Sequence, residues 1–213
     1  INLKNALETF IQTGSTKDFK KYEFKPIDYS LNKWLVQSNN ERKKYNLLCA
    51  KRFKCDKKYN ITFTYQGKKE TYNVGKGMPI ICTFNDKTKN IFNSERFNIV
   101  DINDDTVTID HKVGDNNLEI NIPVFQKIFT LGFACTVSKF QGDCINEPFN
   151  IVESNLMPKN RLYTALSRAT NSKFIHINKY NNNYPAVTYD KVIIQMKPQK
   201  NKIYEQGKIY KIT

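Results

Sequence analysis

Several common ingredients are missing from this sequence, and each absence narrows it. No C-x-x-C pair occurs among the five cysteines (Cys49, Cys55, Cys82, Cys135, Cys144). That argues against a zinc site, and an odd, scattered set argues against a disulfide framework. Reduced, intracellular surroundings are therefore expected: cytoplasm, nucleus or a viral replication site. No apolar run approaches the roughly 18 residues that a membrane helix needs, so no membrane partner is expected. The cradle G-x-x-x-x-G-K-[ST], whose backbone N–H groups and lysine hold nucleotide phosphates, does not occur. Nor does an Asp-Glu pair of the kind that binds Mg²⁺ and activates water. Alone, the chain is not expected to hydrolyse ATP. Ile1 opens it without an initiator Met, so it reads as a piece of something longer.

What is plentiful is positive charge. Lys and Arg number 34 against 20 Asp and Glu, a net +14 over 213 residues. Such a balance points to a polyanion, because basic side chains that neutralise phosphates release counterions. With aromatics at 13%, nucleic acid is the partner these features favour; a basic protein with a merely solvated surface is the alternative. The abundance of Asn, Lys and Ile is that of an AT-rich coding sequence. The length suits one large domain, or one domain carrying a small insertion.

In chain order, Leu3, Ala6, Leu7, Phe10 and Ile11 give a helical pattern. Trp34-Leu35-Val36-Gln37-Ser38-Asn39 is a short apolar strand with a polar end, followed by a helix from about Asn40 to Lys51. Polar residues at a strand's carboxyl end are where open α/β sheets place ligands; Asn39 also suits a helix cap. Tyr59–Tyr65, the turn signal Gln66-Gly67 and Glu70–Val74 predict a β-hairpin. The basic run around it (Lys51, Arg52, Lys54, Lys57, Lys58) reads as phosphate contacts or as a solvated face. Met78–Asn85 is another apolar strand, ending in Thr-Phe-Asn. From about Asp86 to Ile122 the period changes to short strands separated by Asn103-Asp104-Asp105 and Gly114–Asn117, which predicts a small all-β unit leaning on its host. Lys173–Asn178 is a strand in which His176 is structural. Val192-Ile193-Ile194 is a short apolar run in the tail.

The densest chemistry lies between Thr136 and Thr170. Thr136-Val137-Ser138-Lys139-Phe140-Gln141-Gly142 supplies hydroxyls, an amine and a glycine that frees the backbone to approach a ligand. Phe149–Val152 reads as a short buried strand. In Arg161–Ala169 the spacing of Leu162, Ala165, Leu166 and Ala169 gives one apolar helix face, with Arg161 and Arg168 off it. The first and third segments resemble motifs V and VI of superfamily 1 helicases in the RecD-like and Pif-like branch, T-x-H-K-x-Q-G and L-Y-x-A-x-S-R-A. Ser138 stands where that family usually has His. Two further segments resemble the branch: Ser38-Asn39 with Asn46 seven residues on, and Gly77–Asn85. Asn93-Ser94 takes the place of the family's N-G turn. The resemblance covers about Trp34 to Asn178.

That resemblance implies a second RecA-like domain, an α/β fold with a parallel sheet and helices on both faces. It would span 1–85 and 123–213, with an inserted Src-homology-3-like barrel at 86–122. It implies ATP and Mg²⁺ bound mainly by an N-terminal RecA-like domain of the same polypeptide. Arg168 would reach the γ-phosphate as an arginine finger. Gln141, Gly142 and Asp143 would lie near the phosphates at the start of a helix. Ser38, Asn39, Asn85, Thr136, Ser138 and Lys139 would hold the backbone of single-stranded DNA, with 5′→3′ movement. Two other readings stay open: a non-catalytic single-stranded nucleic-acid-binding module, and a nuclease or partner scaffold built on the tail, whose Gly207–Thr213 looks like the opening of a GIY-YIG nuclease.

Overall fold

The computed structural model describes residues 3–22, 24–111, 117–140 and 143–178, together with the strands Ile203–Glu205 and Lys208–Tyr210. The turn expected at Gly114–Asn117 lies largely outside the described residues, as do the run Val192–Ile194 and most of the GIY-like heptad.

A parallel sheet forms from β1 (Trp34–Val36), β9 (Ala134–Thr136), β10 (Phe149–Ile151) and β11 (Ile175–Ile177), in the order β11-β10-β1-β9. Every residue of these three-residue strands is buried, the signature of a parallel sheet covered on both faces. Alternate residues of β1 serve opposite layers. Trp34 and Val36 pack under α2 (Asn39–Arg52), where the Trp34 and Tyr45 rings stack with centroids 4.0 Å apart. Leu35 faces the other way, with Cys135, Phe149 and Ile151, onto α1 (Leu3–Thr13) and α4 (Lys159–Leu166). Leu162, Ala165 and Leu166 are the buried stripe of α4 expected from their spacing.

Both lateral edges of this sheet are occupied. At β11, Lys25 N–H donates to Ile175 O and Ile177 N–H to Lys25 O, at 3.1 and 2.8 Å. At β9 the partner is a side chain: Asn46, fully buried in α2, accepts from Ala134 N–H at 2.9 Å and donates to Ala134 O at 3.2 Å. His176 is buried and its Nδ1 lies 2.8 Å from Pro26 O, a structural role.

The intervening chain is antiparallel. β2 (Tyr59–Tyr65) and β3 (Lys68–Val74) make a hairpin whose two-residue turn has φ of 49° at Gln66 and 74° at Gly67, both left-handed as a type I′ turn requires. A five-stranded sheet of order β7-β6-β5-β4-β8 follows. Its strands are β4 (Pro79–Cys82), β5 (Arg96–Ile102), β6 (Thr106–Ile109), β7 (Leu118–Asn121) and β8 (Phe129–Leu131), with α3 (Ile122–Ile128) between the last two. The sheet thus extends past both ends of the 86–122 interval, because β4 pairs with β5 on one side and β8 on the other. A final pair, β12 (Ile203–Glu205) and β13 (Lys208–Tyr210), is antiparallel.

Candidate functional site

The carboxyl ends of β1 and β9 open onto one polar band. After Val36 the chain bends, and Ser38, not Asn39, caps α2: its hydroxyl accepts from Glu41 N–H at 3.3 Å and donates to Glu153 at 3.0 Å. Glu153 also accepts from the backbone N–H groups of Gln37 and Ser38, at 3.1 and 2.8 Å. Asn39, in the first turn, is exposed and donates to Gln66 at the hairpin tip, 2.9 Å away.

Beyond β9, buried Val137 anchors a short 3-10 turn, Val137–Lys139, that leaves Ser138 exposed, its hydroxyl 3.3 Å from that of Thr136. Lys139 Nζ donates to Asn93 Oδ1 at 3.2 Å and sits 5.7 Å from the Tyr65 ring centroid. Burial, aided by the Arg42 guanidinium, pushes the Lys139 ammonium below its ordinary value. Asn93 N–H in turn donates to Asn85 Oδ1 at 2.7 Å. Asn39, the Tyr65–Gln66 tip, Lys139, Asn93 and Asn85 therefore run on from one another. Asn93 and Gln66 are members of the band that sequence reasoning left out of the site; only their turn positions marked them.

Beneath the band Arg42 is buried, paired with Glu70 at 2.5 Å and lying 3.8 Å over the Tyr65 ring. The Tyr72 hydroxyl donates to the second Glu70 oxygen at 2.8 Å, and burial raises the Tyr72 phenol well above its ordinary value.

Arg168 follows α4. Its guanidinium donates to Thr164 O, Asp143 O and the Ser167 hydroxyl, each at 3.1 Å. Among the described residues no carboxylate pairs with it, so its charge is held in place without being neutralised, an arrangement that suits an anion. Gln141 and Gly142 lie outside the described residues. Asp143 is exposed, and its carboxylate takes Arg96 at 3.3 Å. The helix expected to begin at Gly142 does not form across 143–148. The backbone there is spent sideways: Ile145 N–H donates to Arg168 O at 2.7 Å and Thr170 N–H to Ile145 O at 2.9 Å. The stretch beyond the 137–139 turn and the end of α4 are thereby tied together.

Among the described residues no cluster of His, Cys, Asp and Glu could hold a metal ion, and no helix is long and apolar enough to cross a membrane.

No family model and no curated protein matches the chain. Solved structures do. A Pif1 helicase from a study of forked-DNA unwinding by two coordinating Pif1 helicases superposes with a TM-score of 0.64 at 16% identity, over 90% of this chain and 49% of that one. Bacteroides Pif1 in complex with ADP-AlF3 and single-stranded DNA gives 0.59 at 16%, over 90% and 51%. Pif1 from Candida albicans gives 0.63 at 13%, over 90% and 56%. The chain spans about half the length of the solved structures it matches. A parallel sheet flanked by helices, with antiparallel sheets set into it, is the fold this chain shares with one half of the Pif1 helicases.

Proposed function

We propose that the chain is the C-terminal motor half of an ATP-dependent DNA helicase of superfamily 1, working 5′→3′. Its polar band grips single-stranded DNA, and Arg168 is offered to a nucleotide held by an N-terminal RecA-like domain. The observation that carries this is the continuity of Asn39, Gln66, Lys139, Asn93 and Asn85 at the carboxyl ends of β1 and β9, beside exposed Ser138. Amides, hydroxyls and an ammonium are the groups that bind sugar and phosphate without reading bases. Sequence-independent grip is what a motor needs, since it must step over every base. One solved relative carries single-stranded DNA and ADP-AlF3 together.

ATP would be the substrate, with Mg²⁺ accompanying it in the other domain. An arginine presented to a transferring phosphoryl group stabilises its charge and is worth roughly 10³–10⁵ in rate. In this reading 1–85 and 123–213 form the motor domain, and 86–122 belongs to an all-β insertion resting on it.

The test is the salt dependence of binding. Lys139→Ala is expected to weaken affinity about equally for poly-dT and mixed-sequence strands. The slope of log affinity against log salt should shrink by about 0.7, the share of one phosphate contact on a single strand. An unchanged slope would remove Lys139 from the DNA face. A non-catalytic single-strand-binding module remains the second reading. It predicts the same slope change but no nucleotide turnover by the whole polypeptide.

A further inference from the structure

Two exposed phenylalanines adjoin members of the polar band in sequence. Phe84 is 65% exposed and Phe92 43% exposed, although the chain buries most of its other large apolar side chains. Leaving two rings in water on one short segment marks a contact surface.

The segment that carries them is firmly held. Cys82 N–H donates to Glu95 O and Ser94 N–H to Cys82 O, both at 2.9 Å. Asp86 and Ile91 exchange two backbone bonds of 2.8 and 3.0 Å, and Ile91 is fully buried. The Cys82 thiol donates to Phe84 O at 2.7 Å, and Thr83 N–H donates to Ile128 O at 2.7 Å. The rings therefore stand on a rigid ribbon, 82–95, and little ordering is lost when a ligand meets them.

Each ring is next in sequence to a member of the band: Asn85 follows Phe84, and Asn93 follows Phe92. Both asparagines have their amide oxygen engaged, by Asn93 N–H and by Lys139. Their amide nitrogens donate to no described residue. Flat apolar faces alternating with amide and ammonium donors match a strand whose bases and phosphates alternate. A duplex keeps its base faces stacked inside and cannot offer them.

We infer that Phe84 and Phe92 are base-stacking platforms for single-stranded DNA, working beside the backbone grip of Lys139, Asn85 and Asn93. This rests on the strand-binding function proposed above and adds to it a contact with the bases.

Binding of the 213-residue chain to a dT oligonucleotide, and to the same oligonucleotide made abasic, tests it. Phe84→Ala and Phe92→Ala are each expected to weaken dT binding roughly 5- to 150-fold, the usual worth of one stacked base. They should leave abasic binding and the salt slope unchanged. Phe84→Trp should keep the affinity, and its emission should change on adding dT but not the abasic strand. Equal losses on both strands, or none, while Lys139→Ala still lowers the salt slope, would overturn the stacking role and leave the grip standing. The rings would then face a protein partner. No binding to either strand would remove the grip and the platforms together.

Discussion

Ser94 has a φ of 76°, a conformation that costs an L-residue about 1–2 kcal/mol. It stands where the resembling helicases have the glycine of an N-G turn, and the ribbon bends there all the same, closed by Ser94 N–H on Cys82 O. Glycine would remove the strain but carries about 0.5–1 kcal/mol more chain entropy in the unfolded state. Ser94→Gly should therefore stabilise by about 0.5–1 kcal/mol, read as a higher urea midpoint with an unchanged m-value. A lower midpoint would mean that the serine contributes something its backbone does not reveal. Ser138, the other departure from the pattern of the resembling helicases, is exposed, so an imidazole in its place would meet solvent without overpacking the core.

The ribbon itself depends on Asp86. Its carboxylate accepts from the Thr88 hydroxyl at 2.6 Å and from Lys89 Nζ at 3.1 Å, with Thr88 N–H also in reach. These bonds, the Thr88 hydroxyl first, draw its pKa from 3.8 down to about 2. Because the folded value is the lower one, this stabilisation is present above pH 4 and is lost as pH falls through about 2. Asp86→Asn should thus melt below wild type at neutral pH, and the gap should close between pH 4 and 2. A gap that stays constant across that window would show the carboxylate to be idle.

Elements like this ribbon also mark the reach of sequence reasoning. The hairpin was legible from strand period and Gln66-Gly67, α4 from the spacing of its apolar residues, and β10 from a short apolar run. Where β4 and β8 would pair was not: a run of three or four apolar residues looks the same in a parallel core or an antiparallel sheet. The helix expected at Gly142 failed because Ile145 is bonded to residues more than twenty positions away. Ser38 as cap could be read locally, but its bond to Glu153, 115 residues on, has no local signal. In the site, hydroxyls and amides on the band were legible one by one. What joins them, Asn93 between Lys139 and Asn85, is tertiary.

Across the whole molecule, the backbone bonds of Ile145 to Arg168 and Thr170 hold the segment after the 137–139 turn against the end of α4, and so link the two places proposed above for strand and nucleotide. Arg168 is bonded to both Asp143 O and Ile145 N–H, so its displacement would disturb both of those contacts. On the function proposed above, Arg168→Ala in the whole polypeptide should cut ATP turnover roughly 10³-fold or more while leaving single-strand affinity nearly unchanged. Its bonds are to neutral, partly exposed acceptors, so melting should fall by only a few degrees. Turnover within tenfold of wild type, or collapse of the fold, would assign the residue to structure. The occupied edges of the parallel sheet have a consequence of another kind. With Lys25 along β11 and Asn46 seated on Ala134, neither side offers the bare ladder on which a second polypeptide could template a strand. Asn46→Leu would leave the buried Ala134 N–H and carbonyl without partners, and the expected outcome is a melting temperature well below that of the parent.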